Sequence, residues 1–159
     1  MNKSILFGLV GLISGVVITL AAIFFSAQSV FFNEQETNRD FETSVEVFKE
    51  TAKEKGWSIP TVHDMQKTMA KFGNDVHKAE VFELCHPDHA YEILSRDAER
   101  IVMSMMPCRV AIYEKSDGKT YVSAMNTGLM GNMMKGVVPE VMKAASRESD
   151  AIIDVLVKE

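Results

Sequence analysis

The sequence lacks the short motifs of the common enzyme classes. Its two cysteines are not arranged as C-x-x-C, which excludes a thioredoxin-type site and covalent haem attachment through C-x-x-C-H. There is no G-x-S-x-G elbow, no P-loop and no G-x-G-x-x-G loop. With 17 basic and 22 acidic residues the net charge is -5, which argues against a nucleic-acid partner, since phosphate binding needs a basic surface. These absences favour a protein that is not an enzyme.

Charge is missing from the start of the chain. Residues 1–33 contain a single charged side chain, Lys3, and the 21 residues Ile5–Phe25 contain none. As a helix this run is roughly 31 Å long, which matches a hydrocarbon core. Because Glu34 and Glu36 follow it, the positive-inside rule predicts a single-pass signal anchor in the inner (cytoplasmic) membrane, with the C-terminal domain on the periplasmic or extracellular side. The alternative is a cleaved signal peptide, whose apolar region is usually shorter.

A stripe of small residues follows one face of this predicted helix. Gly8, Gly11 and Gly15 recur at spacings of three and four residues. Small residues let helices approach closely in lipid, so the stripe favours a homodimer or docking with the subunits of a membrane complex. The alternative is that glycine is simply frequent in membrane helices.

The rest of the chain predicts one domain. We expect residues 1–33 to be the anchor, 34–40 a polar linker and 41–159 the exported domain. Helical and strand patterns alternate along it, and Cys108–Glu114 and Thr120–Met125 flank a turn sequence and predict a hairpin. The predicted fold class is α+β: a two-layer domain with a small, mainly antiparallel sheet covered by helices, preceded by one transmembrane helix.

Several local signals place the helices. Asn38, Asp64 and Pro87 are expected near helix starts, and the last helix is expected to begin near Pro139. Three glycines, from Gly128 to Gly136, predict a loose connection whose methionines form a mobile lip over a pocket.

Three short segments together resemble the domain of unknown function 302 family. They are Glu83–Ala90 (ELCHPDHA), Met106–Val110 (MPCRV) and the hairpin turn with Asp117-Gly118, and the likeness extends over roughly Phe41 to Asp154. The resemblance implies a compact α+β domain that is often a dimer. It implies no established reaction, substrate or cofactor.

The two cysteines, Cys85 and Cys108, are each predicted at the end of a strand, so we expect them to lie close together at one edge of the domain. In an exported domain they can form a structural disulfide. The alternative is a pair of free thiols, in which Cys85 precedes a helix whose positive end would favour the reactive thiolate.

Metal-ligating side chains surround these cysteines. Cys85, His86 and His89 fall within five residues, and Met106 lies two residues before Cys108. Thiolates, imidazoles and thioethers are ligands for copper and for haem iron, so copper and haem are the candidate cofactors. The alternatives are that the histidines are exposed polar residues and that the 11 methionines fill the core.

The sequence therefore predicts a membrane-anchored, exported binding domain that holds a metal, haem or small ligand near Cys85 and Cys108. Two other functions remain open. One is a thiol–disulfide redox protein that uses the same cysteines, and the other is a non-catalytic interaction subunit of a membrane complex.

Overall fold

The structure, a computed structural model, describes the backbone of residues 3–157 and the side chains in that range except at residues 3–6, 9, 10 and 25–28. The chain divides into two units, Met1–Phe31 and Phe32–Glu159. The described residues of the first unit form one helix, α1 (Lys3–Phe31).

Helix α1 contains the run in which the sequence predicts a membrane span. A span needs about 20 consecutive, predominantly apolar residues. Among the residues that the structure describes, no helix is both long and apolar enough to cross a membrane. The prediction of an N-terminal transmembrane helix is therefore corrected. Part of the predicted span, at residues 5, 6, 9, 10 and 25, lies outside the described side chains.

The glycine stripe lies on α1. A Cβ placed at Gly8, Gly11 or Gly15 would meet no described atom within 4 Å. Within the described part of the chain, these glycines therefore make no close helix contact.

The second unit contains a five-stranded sheet and six helical segments within residues 32–157. The strands are β1 (Phe32–Glu36), β2 (Val62–Asp64), β3 (Ala79–Leu84), β4 (Cys108–Glu114) and β5 (Thr120–Met125). The helices are α2 (Phe41–Glu54), α3 (Met65–Ala70), α4 (Pro87–Leu94), a 3₁₀ helix (Arg100–Met105), α5 (Thr127–Gly131) and α6 (Val138–Val157).

The strands are ordered β1-β5-β4-β3-β2, and every neighbouring pair is antiparallel. The β4–β5 hairpin has the predicted bounds, and Gly118 adopts φ 78° in its turn, where a residue without a Cβ is unstrained. In the β3–β4 ladder, Leu84 pairs with Cys108. The α+β architecture with an antiparallel sheet agrees with the sequence prediction.

The segment predicted as a linker, 34–40, is part of the domain. Glu34 and Glu36 belong to β1, which pairs with β5 at the edge of the sheet, and the N–H of Thr37 donates to the carbonyl of Thr120. An edge strand is held by main-chain hydrogen bonds and needs no apolar side chains. Every residue of β1 is exposed, which is why its polar sequence gave no strand signal.

Helix α2 starts and stops at local signals. The carboxylate of Asp40, rather than Asn38, accepts from the N–H of Thr43 and caps the helix. At the other end Gly56 adopts φ 79°, and the N–H of Trp57 donates to the carbonyl of Ala52. This Schellman arrangement turns the chain back and directs Trp57 into the interior, where it is 4% exposed.

The larger hydrophobic cluster, here called the sheet cluster, joins the sheet to α2 and the C-terminal part of α6. Its largest fully buried side chains come from aromatic and branched residues. They include Phe48, Phe82, Leu84, Ile112, Ile152 and Leu156. The rings of Phe48 and Phe82 pack with their centroids 5.0 Å apart.

A smaller cluster, here called the methionine cluster, lies under α4, the 3₁₀ helix and the N-terminal part of α6. Its buried members are Ile93, Val102, Val138, Val141 and Met142, with Met105, Met106, Met134 and Val137 packed against them. The methionines in this cluster fill the core, as one of the two sequence interpretations predicts.

The connection predicted as a mobile lip, Gly128 to Gly136, begins as helix α5 (Thr127–Gly131), capped by the Asn126 side chain, and only its second half is a series of turns. It lies against α6 so closely that a Cβ at Gly131 would be 2.5 Å from the Cβ of Met142. Glycine at this position allows two helices to pack in close contact. The sequence pattern alone does not distinguish such a glycine from one in a flexible loop.

Candidate functional site

The candidate site is a narrow cleft where the sheet cluster and the methionine cluster meet. Its volume is about 40 Å³, which leaves room for an ion or a few atoms but is far below the roughly 300–1,000 Å³ of pockets for drug-sized ligands. Both cysteines and both histidines of the sequence prediction line it. The lining residues are Trp57, Leu84, Cys85, His86, His89, Ala90, Ile93, Met106, Pro107, Cys108, Val141, Met142 and Ala145.

The two cysteines are free and half-buried. Cys85 directly follows Leu84, the residue paired with Cys108. Because paired Cα atoms in an antiparallel ladder lie about 4.5–5.5 Å apart and consecutive ones about 3.8 Å, the Cα atoms of Cys85 and Cys108 are at most about 9 Å apart. The ends of β3 and β4 thus bring the two thiols to one wall of the cleft.

The main chain fixes Cys85 in place. Its N–H donates to the carbonyl of Ser58 at 2.9 Å, and its carbonyl accepts from the N–H of Ser58 at 2.9 Å. The Ser58 hydroxyl donates to the same carbonyl at 2.9 Å. His86 and Pro87 then begin α4, with the fixed φ of proline suited to the first turn.

Burial raises the pKa of the Cys108 thiol, and the neighbouring Cys85 raises it further. Both effects disfavour the thiolate, because a charge is poorly solvated in apolar surroundings and repels a second negative charge. Cys108 is therefore a neutral thiol at neutral pH rather than an activated nucleophile.

Two imidazoles lie side by side at the cleft, with ring centroids of His86 and His89 4.6 Å apart. His89 Nε2 is 3.0 Å from Glu148 Oε2, and the same oxygen accepts from Trp57 Nε1 at 3.3 Å. In a neutral imidazole, this carboxylate favours the tautomer with its proton on Nε2, in which Nδ1 of His89 has the lone pair. Among the described residues, the buried Nδ1 of His86 has no hydrogen-bond partner, which is rare for a buried polar atom.

A family model for the domain of unknown function DUF302 matches residues 33–156. The chain belongs to the DUF302 family. A solved structure with the same fold, titled an uncharacterized conserved protein DUF302 from Bacillus stearothermophilus, is 18% identical with a TM-score of 0.71, and the match covers 79% of this chain and 98% of that one. No curated protein matches the sequence. The match at residue 33 agrees with β1 being part of the DUF302 domain.

The methionine of the sequence prediction, Met106, lines the cleft of this DUF302 domain and also packs in the methionine cluster. In the part of the chain that the structure describes, no three His, Cys, Asp or Glu side chains form a metal-ligand cluster. The donors gathered here are therefore a cysteine pair with a thioether and imidazoles around it, rather than the four-ligand set of a structural zinc site.

Sequence reasoning missed Trp57 and Met142, which line this DUF302 cleft, and Glu148, which contacts His89 and Trp57 at its wall. Glu148 is 59 positions from His89 and 91 from Trp57, so no local spacing connects them. For Trp57 a signal existed, because the Lys55-Gly56 pair that ends α2 places the next residue at the position that packs back on the helix.

Proposed function

We propose that the domain binds a single Cu(I) ion between the thiolates of Cys85 and Cys108. The observation that carries this proposal is the pairing of two reduced cysteines at a cleft whose volume is about 40 Å³. Sulfur ligands select Cu(I), and two thiolates are sufficient donors for a soft monovalent ion. A haem is much larger than this cleft, so the proposal commits to the ion.

Three neighbouring groups support the same ligand. The Met106 thioether lines the cleft and is a soft donor. His86 has a buried nitrogen without a partner among the described residues, which a bound ion or water would explain. Glu148 orients His89 as carboxylates orient metal-binding histidines. The walls are otherwise apolar, which keeps water away from the thiolates.

Binding displaces the thiol protons, so apparent affinity should rise with pH. Because the pKa of Cys108 is raised, the ion must displace a proton from this thiol in order to bind. Between pH 6 and pH 8 we therefore expect each unit of pH to strengthen binding, since the Cys108 thiol is protonated throughout that range.

The test is an anaerobic competition titration of the full chain against a chromophoric Cu(I) chelator, with metal content measured after desalting. We expect one ion per chain, and loss of that ion in both Cys85→Ser and Cys108→Ser. His77→Ala, an exposed histidine outside the cleft, serves as the control and should bind normally. Unchanged binding in either serine variant would refute the proposal.

Glu148 offers a finer test of the same site. Glu148→Gln keeps the shape of the side chain but removes the charge that orients His89, and we expect affinity to fall about 10–100-fold. Glu140→Gln changes the same charge at an exposed position of α6 and should have no effect. An equal loss in both variants would indicate long-range charge rather than orientation of His89.

The position of both cysteines at the same cleft also favours a second candidate function, thiol–disulfide exchange. In that reaction the thiols of Cys85 and Cys108 become one disulfide while a disulfide in the substrate becomes two thiols, so electrons and protons balance. Equilibration with mixtures of reduced and oxidised glutathione, followed by mass measurement, tests it. A Cys85–Cys108 bond that forms within the glutathione range supports this function, and thiols that stay reduced throughout exclude it.

A further inference from the structure

A second, larger cavity lies between α2, α3 and the start of β3. Its volume is about 460 Å³, within the range of pockets that hold small organic ligands. Phe41, Val45 and Ala79 give it an apolar part, and charged side chains surround that part. The thiol cleft shares none of its lining residues with this cavity.

Two of the ion pairs around the cavity are closed. The ammonium of Lys78 lies 2.5 Å from Glu42, and that of Lys67 lies 2.8 Å from Asp64, a carboxylate that also caps α3. Each of these charges has its hydrogen-bonding partner within the chain. These two ion pairs would therefore gain little from contact with a ligand.

The third pair, Lys49 with Glu80, is open. Its Nζ–Oε2 distance is 3.8 Å, which is too long for a hydrogen bond. Glu80 Oε2 is buried and has no hydrogen-bond partner among the described residues. A buried carboxylate oxygen without a hydrogen-bond donor destabilises the fold. A ligand that donates a hydrogen bond to this oxygen would remove that cost.

The Lys49 side chain can make room for such a ligand. It is 44% exposed, and its ammonium lies 5.4 Å from the centroid of the Phe82 ring. An incoming ammonium group can take over the same position beside Glu80 when the lysine swings outward. The displaced Lys49 then remains at the mouth of the cavity as a partner for an anion.

We propose that this cavity binds a small zwitterion with the chemistry of a free α-amino acid that has an apolar side chain. The ligand's ammonium donates to Glu80, its carboxylate accepts from Lys49, and its side chain packs on Phe41, Val45 and Ala79. A simple cation would meet repulsion from Lys49, and a simple anion would meet repulsion from Glu80. A zwitterion satisfies both and adds no net charge.

The ligand test uses the full chain and three related probes at millimolar concentration, followed by calorimetry and by chemical shifts of the α2 amides. L-Leucine carries both charges, N-acetyl-L-leucine lacks the ammonium, and L-leucinamide lacks the carboxylate. We expect leucine to bind and each of the other two to bind at least tenfold more weakly. Absence of leucine binding, or equal binding of any two probes, would overturn the proposal.

The variant test separates this pair from general charge effects. Glu80→Gln and Lys49→Met should each weaken leucine binding at least tenfold. Glu50→Gln and Lys53→Met make the same changes of charge on α2 outside the cavity and should leave binding unchanged. Circular dichroism confirms that each variant is folded, and because Lys49 is an exposed residue, its variant keeps the test valid if Glu80→Gln fails to fold. Loss of binding in the control variants, or none in the folded test variants, would refute the assignment.

Discussion

The sheet cluster and the methionine cluster both bury apolar side chains, but they differ in the kinds of side chain and backbone from which they are built. The sheet cluster is built from branched and aromatic side chains on regular strands and long helices, with Phe48, Phe82 and Ile112 fully buried. The methionine cluster lies under short helical segments and uses flexible thioethers to fill irregular space. Helix α6 contributes to both, and the thiol cleft lies where they meet. The cleft thus has a rigid wall on one side and an adaptable wall on the other.

The largest expected effect tests the rigid side. Phe82 is fully buried and packs on Phe48, so Phe82→Ala should lower the free energy of unfolding by about 3–5 kcal/mol. Phe72, which is 76% exposed, provides the matched control, and Phe72→Ala should stay within about 0.5 kcal/mol. Urea denaturation measures both. Similar losses in the two variants would mean that burial in the sheet cluster does not dominate stability.

The second effect tests the contact between α5 and α6 beside the methionine cluster. Gly131→Ala places a methyl group 2.5 Å from the Cβ of Met142, and the helices must separate, at a cost of about 1–3 kcal/mol. Gly128→Ala meets the Ser146 side chain at 3.2 Å, so a much smaller loss is expected there. The comparison uses the same urea assay. If Gly131→Ala is the more stable of the two variants, α5 and α6 do not pack as closely at Gly131 as described.

A smaller effect should show the adaptability of the methionine cluster. Met105→Leu keeps the volume and the apolar character of a partly buried side chain, so the loss should be under about 1.5 kcal/mol. Thermal unfolding provides the measurement. A loss as large as that of Phe82→Ala would show that the methionine cluster is packed as specifically as the sheet cluster, and would remove the contrast between them.

The smallest effect concerns the thiol where the two clusters meet. Since burial raises the pKa of Cys108 above its ordinary value of 9.0, the unfolded chain loses this proton at a lower pH than the folded one. The stability contributed by the neutral thiol is therefore present below pH 9 and is lost as pH rises above it. Cys108→Ser should make the decline between pH 9 and pH 10 shallower. An unchanged slope would show that this thiol titrates alike in both states.

The sequence predicted those parts of the fold that depend on local signals. The hairpin from Cys108 to Met125 has the expected bounds because its turn needs a glycine at positive φ, and Asp64 and Pro87 start their helices as expected. Strand β1 was missed because an exposed edge strand needs only main-chain partners. The order of strands also depends on pairing between distant segments, which no local pattern encodes.

The candidate site shows the same limit. Cys85 follows the end of one strand and Cys108 begins another. Their positions in the chain were sufficient to predict that they lie close together, because in an antiparallel pair the end of one strand lies beside the start of the other. The contact of Glu148 with His89 depends on how α6 crosses the domain, and nothing near Glu148 in the sequence indicates it. The prediction of a membrane span was wrong for a different reason, because no helix among the described residues is both long and apolar enough to cross a membrane.

Trp57 gives the cleft an optical reporter of its own. It is the only tryptophan in the chain, its ring centroid lies 5.4 Å from that of His86, and its N–H donates to the carboxylate that orients His89. Indole fluorescence of this protein therefore originates entirely at the wall of the candidate site. A metal ion at the thiolates would quench it, and loss of the Glu148 hydrogen bond would shift its emission, so occupancy of the cleft can be followed in the unlabelled, unmodified protein.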